Sequence, residues 1–265
     1  MPDAPESILN CEALRVSVPG RCLVDALQLE LRRGELVGVL GQNGSGKTLT
    51  LMTLAGLRLP DTGQVRLMGA DLFTMPRQLT ARRLALLPQD VDDIFPATVM
   101  DTALIGRHPH IGRFSWESSE DHDAAKDALE AVGLAALAER DILTLSGGER
   151  RRLAIAQILT QAPDVYLLDE PTNHLDPQHQ LDALRVFRGA ADSGAAVIAS
   201  LHDVNLAVRY ADRCLLLFGD GRWELGRSAD ILTEERLSEL FATRMEAVDW
   251  RSKKLFVASS DHPTL

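Results

Sequence analysis

An α/β fold, with a parallel sheet covered on both faces and a helical lobe inserted into it, is what the sequence predicts. Three observations carry the prediction. Short, mainly apolar runs stand at residues 36–40, 165–168 and 196–201, and apolar residues at helical spacing follow each of them. Between the first and second runs, residues 124–159 read as mainly helical, with glycine breaks. Strands buried on both faces are continuous in apolar character rather than alternating, and strands that alternate with helices pair in parallel.

The 265 residues are 45% hydrophobic and 25% charged, which suits one large domain or one domain with a smaller lobe. With 28 basic against 38 acidic residues the formal net charge is −10. That argues against wrapping a nucleic acid backbone, which needs a basic face. Cys11, Cys22 and Cys214 lie far apart with no CxxC pair, so reduced thiols are expected rather than a disulfide framework or a zinc site. The opening MPDAPESILN lacks the basic start and apolar run of a signal peptide. No stretch approaches the roughly 18 apolar residues of a bilayer span. A membrane role therefore has to come through a partner.

In chain order, residues 14–31 read as a two-stranded opening broken at Pro19-Gly20. Residues 36–40 form a strand buried on both faces, a glycine-rich loop follows, and a helix is expected over residues 49–59, with Asp61-Thr62-Gly63 as the turn after Pro60. The helical stretch 124–159 is broken at Gly133 and Gly147-Gly148. Then come a strand at 165–168, a helix at 181–191, a strand at 196–201, a helix at 205–211 and a strand at 214–218, before a hairpin turn at Asp220-Gly221. Residues 231–255 read as a helix and a short strand.

Chemistry enters at Gly41-Gln42-Asn43-Gly44-Ser45-Gly46-Lys47-Thr48, a G-x-x-x-x-G-K-[ST] phosphate loop placed between a buried strand and a helix. Glycines permit the close approach and positive φ with which successive backbone N–H groups cradle an anion. Lys47 would reach the β and γ phosphates and the Thr48 hydroxyl would bind Mg²⁺. The apolar strand at 165–168 ends in Asp169-Glu170, and a parallel strand delivers its C-terminal end to the ligand crevice. Asp169 is the expected Mg²⁺ partner, and Glu170 would act as general base on the attacking water.

With Leu145-Ser146-Gly147-Gly148-Glu149 between these two motifs, the chain resembles the ATP-binding cassette (ABC) family, whose LSGGE-type signature these residues match. Gln89 matches the Q-loop, Asn173-His174-Leu175-Asp176 the D-loop, and His202 the switch histidine, in the family's order. The resemblance implies a P-loop NTPase (RecA-like) core with a small antiparallel β subdomain and an inserted helical subdomain. One cassette would occupy residues 1–265, with core at 1–88 and 160–265, the helical subdomain at about 89–159, and a C-terminal extension at 225–265. It also implies catalytic roles for Glu170, His202 and Gln89. Mg²⁺ would be held by Thr48, Gln89 and Asp169. The signature Ser146, Gly147, Gly148 and Glu149 would act on a partner's ATP, with the D-loop Asp176 beside them. Two copies would pair head to tail around two ATP molecules.

Three readings of the branch stay open: importer subunit, unfused exporter subunit, and non-transport P-loop ATPase. The absence of membrane helices and of long coiled coils fits a separate subunit docking on two membrane-spanning permease subunits, and indirectly on a solute-binding protein, at the cytoplasmic face of the cell membrane. The segments Ile94-Phe95-Pro96-Ala97-Thr98-Val99 and Ile105-Gly106-Arg107-His108-Pro109-His110, followed by Asp121 and Asp123, resemble cassettes of iron-siderophore, haem and cobalamin importers. A stand-alone P-loop kinase would need an acceptor pocket and has no use for the signature or His202. Three further features get plain expectations. Arg150-Arg151-Arg152 reads as a solvated basic face, and the histidines at 108, 110, 174 and 179 form no metal constellation. Val18 stands where the family usually carries an adenine-stacking aromatic, so Arg15 or Arg21 is a candidate to lie over the base.

Overall fold

The computed structural model describes residues 7–90, 96–112, 115–251 and 253–259. Ile94 and Phe95 of the importer-like segment lie outside them. Two long strands, β1 (Ser7–Val18) and β2 (Arg21–Arg32), form a hairpin and lead into β3 (Leu36–Leu40), after which the phosphate loop opens α1 (Lys47–Leu54). Next come β4 (Thr62–Leu67), β5 (Ala70–Asp71), α2 (Arg77–Arg83) and β6 (Leu84–Leu87). Three helices follow, α3 (Val99–Leu104), α4 (Ser119–Ala131) and α5 (Gly147–Gln161). Alternation then resumes with β7 (Val165–Leu168), α6 (Pro177–Asp192), β8 (Ala196–Ser200), α7 (Val204–Tyr210), β9 (Arg213–Leu217) and β10 (Trp223–Arg227). The chain closes with α8 (Ser228–Ile231), α9 (Glu234–Phe241) and a hairpin of β11 (Met245–Trp250) with β12 (Lys253–Ala258).

The main sheet runs β10-β9-β3-β8-β7-β6, parallel except for β10, which pairs antiparallel with β9. Every residue of β3, β7 and β8 is buried, yet successive residues serve different cores. Leu36, Leu40, Tyr166, Leu168, Val197, Ala199 and Leu216 pack with α5, α6 and α7 on one face. Val37, Val39, Val165, Leu167, Ile198, Leu215 and Leu217 pack on the other face with α1 and with the antiparallel sheet β2-β1-β4-β5. The strand period of two sorts them. A third cluster joins α3, α4 and α5 through Val99, Leu129, Leu153 and Ala156.

Several boundaries differ from the sequence reading. The helix expected over 49–59 runs Lys47–Leu54, because Gly56 at φ 72° closes it. Leu57 N–H donates to Met52 at 2.9 Å and Gly56 N–H to Thr53 at 3.1 Å, a Schellman stop placed before Pro60 is reached. Thr62 and Gly63 begin β4 rather than forming a turn. Gly147 and Gly148 start α5 rather than break a helix, since Ser146 is its N-cap. The last stretch holds a helix and a two-stranded hairpin, not one strand. That hairpin packs into the main core through Met245 and Phe256, and Asn205 of α7 both donates to and accepts from the Phe256 backbone, at 3.0 and 2.8 Å. Strand β6 and helices α2 and α3 have no counterpart in the sequence reading; the two helices carry too few residues to show a period. The three thiols are free, and burial pushes Cys11 up to about 12 and Cys214 up to about 11.

Candidate functional site

The phosphate loop leaves β3 through Gly41, where an added Cβ would stand 2.5 Å from both the Leu217 carbonyl and Ser45 Oγ. Only glycine fits there. Gly44 and Gly46 take φ 75° and 103°, the left-handed conformation that side chains resist. Lys47, buried at the first position of α1, folds back to donate to Gly41 O at 2.9 Å and Gln42 O at 3.2 Å. Burial lowers its pKa, while the charges of Glu170 and Asp169 pull it back up. Ser45 Oγ is buried and has no hydrogen-bond partner among the described residues. Buried hydroxyls are normally paired, so this one, packed against Gly41 at the root of the loop, stands out as an unmet polar group.

Facing the loop, β7 ends in the two acids. Asp169 Oδ1 accepts from Ser200 Oγ at 2.7 Å, and the same Ser200 oxygen accepts the Glu170 N–H at 2.8 Å. One buried serine at the end of β8 therefore fixes both carboxylate-bearing residues. Glu170 sits at φ 49°, a left-handed setting that costs energy for a non-glycine residue and persists only when its surroundings impose it. Its Oε2 accepts from Gln89 Nε2 at 3.0 Å and from Asn173 Nδ2, and its Oε1 lies 2.5 Å from His202 Nε2.

Gln89, Glu170, Asn173 and His202 share a cleft of about 700 Å³ with the loop residues Asn43, Gly44, Gly46, Lys47 and Thr48. Gln42 is exposed, and Ser45 and Asp169 are buried beneath the walls. At the other end stand Val18, Arg21 and Leu23. Arg21 is the arginine that joins the cleft, its Nε donating to Gly219 O at 2.8 Å, whereas Arg15 pairs with Asp25. The oxygens of Thr48, Gln89 and Asp169 are the hard, uncharged-plus-carboxylate donor set that suits Mg²⁺.

The remaining motif residues are not on this wall. Ser146 caps α5 in a capping box: its hydroxyl donates to Glu149 Oε2 at 2.7 Å and accepts the Glu149 N–H at 3.3 Å. Bonds from the Ser146 backbone N–H and hydroxyl lower the Glu149 pKa. Ser146 and Gly147 are exposed. Asp176 caps α6, accepting from the His179 backbone N–H at 2.9 Å.

Among the basic run, Arg151 corrects the expectation of a solvated face. It is buried and spends its guanidinium on the backbone carbonyls around Gln89 and Glu170. Arg152 is half-buried and donates to Val132 O at 2.9 Å. The sequence reading also passed over Ser200 and Asn173 as site residues. Ser200 carried one signal, a polar residue ending an apolar strand; Asn173 carried none beyond its place in the D-loop motif.

The ABC transporter family profile matches residues 24–173. Over 236 residues the chain is 43% identical to the hemin import ATP-binding protein HmuV of Pseudomonas entomophila, which covers 87% of this chain and 88% of that one. It is 39% identical over 239 residues to the cobalamin import ATP-binding protein BtuD of Halobacterium salinarum, covering 89% of this chain but spanning only 59% of that relative's length. Among solved structures, one described as a metal-chelate type ABC transporter in an inward-facing conformation superposes with a TM-score of 0.84 at 29% identity, over 97% of this chain and 99% of that one. With a phosphate loop, paired acids and signature helix arranged on this fold, the chain belongs to the ABC transporter family and has the fold of its ATP-binding cassettes.

Proposed function

We propose that this protein is the ATP-hydrolysing subunit of an importer that carries a haem, cobalamin or related metal chelate across a membrane. The observation that carries the hydrolytic part is the cleft in which Lys47 and the phosphate loop face Gln89, Glu170 and His202. The triphosphate enters the loop, where backbone N–H groups, Lys47 and the Ser45 hydroxyl take its charge. Thr48, Gln89 and Asp169 would hold Mg²⁺, which neutralises charge on the β and γ phosphates. Glu170 takes a proton from the water that attacks the γ-phosphorus, the bond to the bridging oxygen breaks, and His202 holds the carboxylate in place.

The residues left off the wall support the pairing of two copies. Ser146 and Gly147 expose a helix N-terminus, an anion site with no phosphate of its own chain near it, so a second copy supplies the phosphate and receives one in return. Asp176 lies beside that contact. We divide the chain as core at 1–88 and 160–265, with its antiparallel sheet, a helical part at about 89–159 and an extension at 225–265. Among the described residues no helix is long and apolar enough to cross a membrane. In this reading transport runs through two permease subunits and, indirectly, a solute-binding protein, with this chain peripheral at the cytoplasmic face. The names of the relatives support the cargo class. Reconstitution with candidate permease subunits, followed by ATP-driven uptake of haem and of cobalamin into vesicles, tests the reading. Transfer of the γ-phosphate to an acceptor in place of its release as inorganic phosphate, or no dependence of uptake on this chain, overturns it.

A further inference from the structure

Arg151 stands in the second turn of α5 and is 5% exposed. A guanidinium has five N–H donors and no acceptor. All five are used here on backbone carbonyls: Nη1 on Pro88 at 2.6 Å and Gln89 at 3.1 Å, Nη2 on Asp169 at 2.7 Å and Glu170 at 2.8 Å, and Nε on Pro171 at 3.4 Å. These carbonyls belong to two segments, one after β6 that carries Gln89 and one after β7 that carries Asp169 and Glu170. The two segments also meet through their side chains, at the 3.0 Å bond from Gln89 to Glu170. Glu170 is the residue whose left-handed backbone needs outside support. Ser200 holds its N–H and Arg151 holds its C=O. Burial draws the Arg151 pKa down to about 10, with the charges of Asp169, Glu170 and Asp90 acting against that fall, so the group stays cationic at neutral pH.

We propose that Arg151 is a positioning residue for hydrolysis: its guanidinium locks Gln89 and Glu170 to each other and to the helix end that Ser146 caps. The proposal rests on the reading of Glu170 as general base. It also gives the signature end of α5 a rigid link to the catalytic carboxylate of the same chain, because any shift of that helix carries both segments with it. Lysine is no substitute, since three donors on a point charge cannot span the two pairs of carbonyls.

The test uses the full chain with Arg151→Lys, Arg151→Gln and Arg151→Ala. Expected is a fall in kcat for ATP hydrolysis of about tenfold or more in each. KM for ATP, and ATP affinity measured in the Glu170→Gln background, should stay within about twofold. Added guanidinium should restore part of the Arg151→Ala activity in a saturable way. The inference is overturned by a kcat within twofold of wild type, by loss of ATP binding in step with activity, by no recovery with guanidinium, or by failure of all three variants to fold. Glu170→Gln, run alongside, separates the two readings: turnover there removes the base, whereas lost turnover there with normal Arg151 variants removes only this inference.

Discussion

His202 holds Glu170 by one carboxylate oxygen while Gln89 and Asn173 hold it by the other. His202 Nε2 is 2.5 Å from Oε1, and the two amides donate to Oε2. An ionised carboxylate carries no hydrogen, so the contact requires Nε2 to be the ring nitrogen that bears one. Glu170 is thereby held from both sides in the cleft that it shares with Lys47.

Replacing Glu170 by Gln keeps the shape of that arrangement and removes the proton acceptor. Turnover should fall by about 10²–10⁴-fold. ATP binding should persist, and an ATP-bound dimer should accumulate, visible by size-exclusion chromatography with light scattering. Near-normal phosphate release by this variant removes Glu170 from the role of base.

The proposed action of the signature residues on another copy's nucleotide makes a complementation prediction. Ser146→Arg chains and Lys47→Ala chains should each be inactive alone, the first for want of a usable signature and the second for want of productive nucleotide binding. Mixed, they form dimers with one intact site, so part of the ATPase activity returns. A mixture as inactive as its components argues against a shared site.

The base end of the cleft offers the apolar surfaces of Val18 and Leu23 and the guanidinium of Arg21, anchored on Gly219 O. Aliphatic contact and a cation over a π face suit any purine. ATP and GTP should therefore compete within about tenfold of one another, a difference under about 1.4 kcal/mol. A much stronger preference for ATP, measured by displacement of a fluorescent nucleotide, contradicts this.

A fourth prediction concerns pH. Asp121 caps α4 and accepts from Ser118 N–H at 2.9 Å, Ser118 Oγ at 2.8 Å and Arg107 Nε at 2.7 Å. Led by the Ser118 backbone bond, these hold its pKa at about 2, below the 3.8 of a free aspartate. The folded pKa is depressed, so the stabilisation is complete above 3.8 and is lost as pH falls through about 2. Asp121→Asn should cost about 3 kcal/mol near neutral pH, because it leaves Arg107 without its charge partner. The gap between wild type and variant in urea melts should shrink below pH 4. A gap that stays constant on acidification rules the mechanism out.

The strands β3, β7 and β8 were legible because each is a short apolar run bounded by turn residues, and the phosphate loop because its chemistry is contiguous in sequence. Helix α1 was misjudged at its end because the stop is made by the backbone at Gly56, three residues after which the apolar pattern still continues at Leu59. Strand β6, Leu84–Leu87, is an apolar run as short as β7 that the sequence reading did not single out, and its parallel pairing with β7 identifies it.

Sequence alone determined the fold class, the loop that cradles phosphate, the paired acids and the order of the motifs, because each is encoded in adjacent residues or in a short period. Tertiary structure decided what the carboxylates touch. Ser200, Asn173 and Arg151 gain their roles from chain crossings that bring β6, β7, β8 and α5 to one point. A charged run reads the same whether it faces water or carbonyls, and only packing places Arg151 among carbonyls while its neighbours stay half-buried.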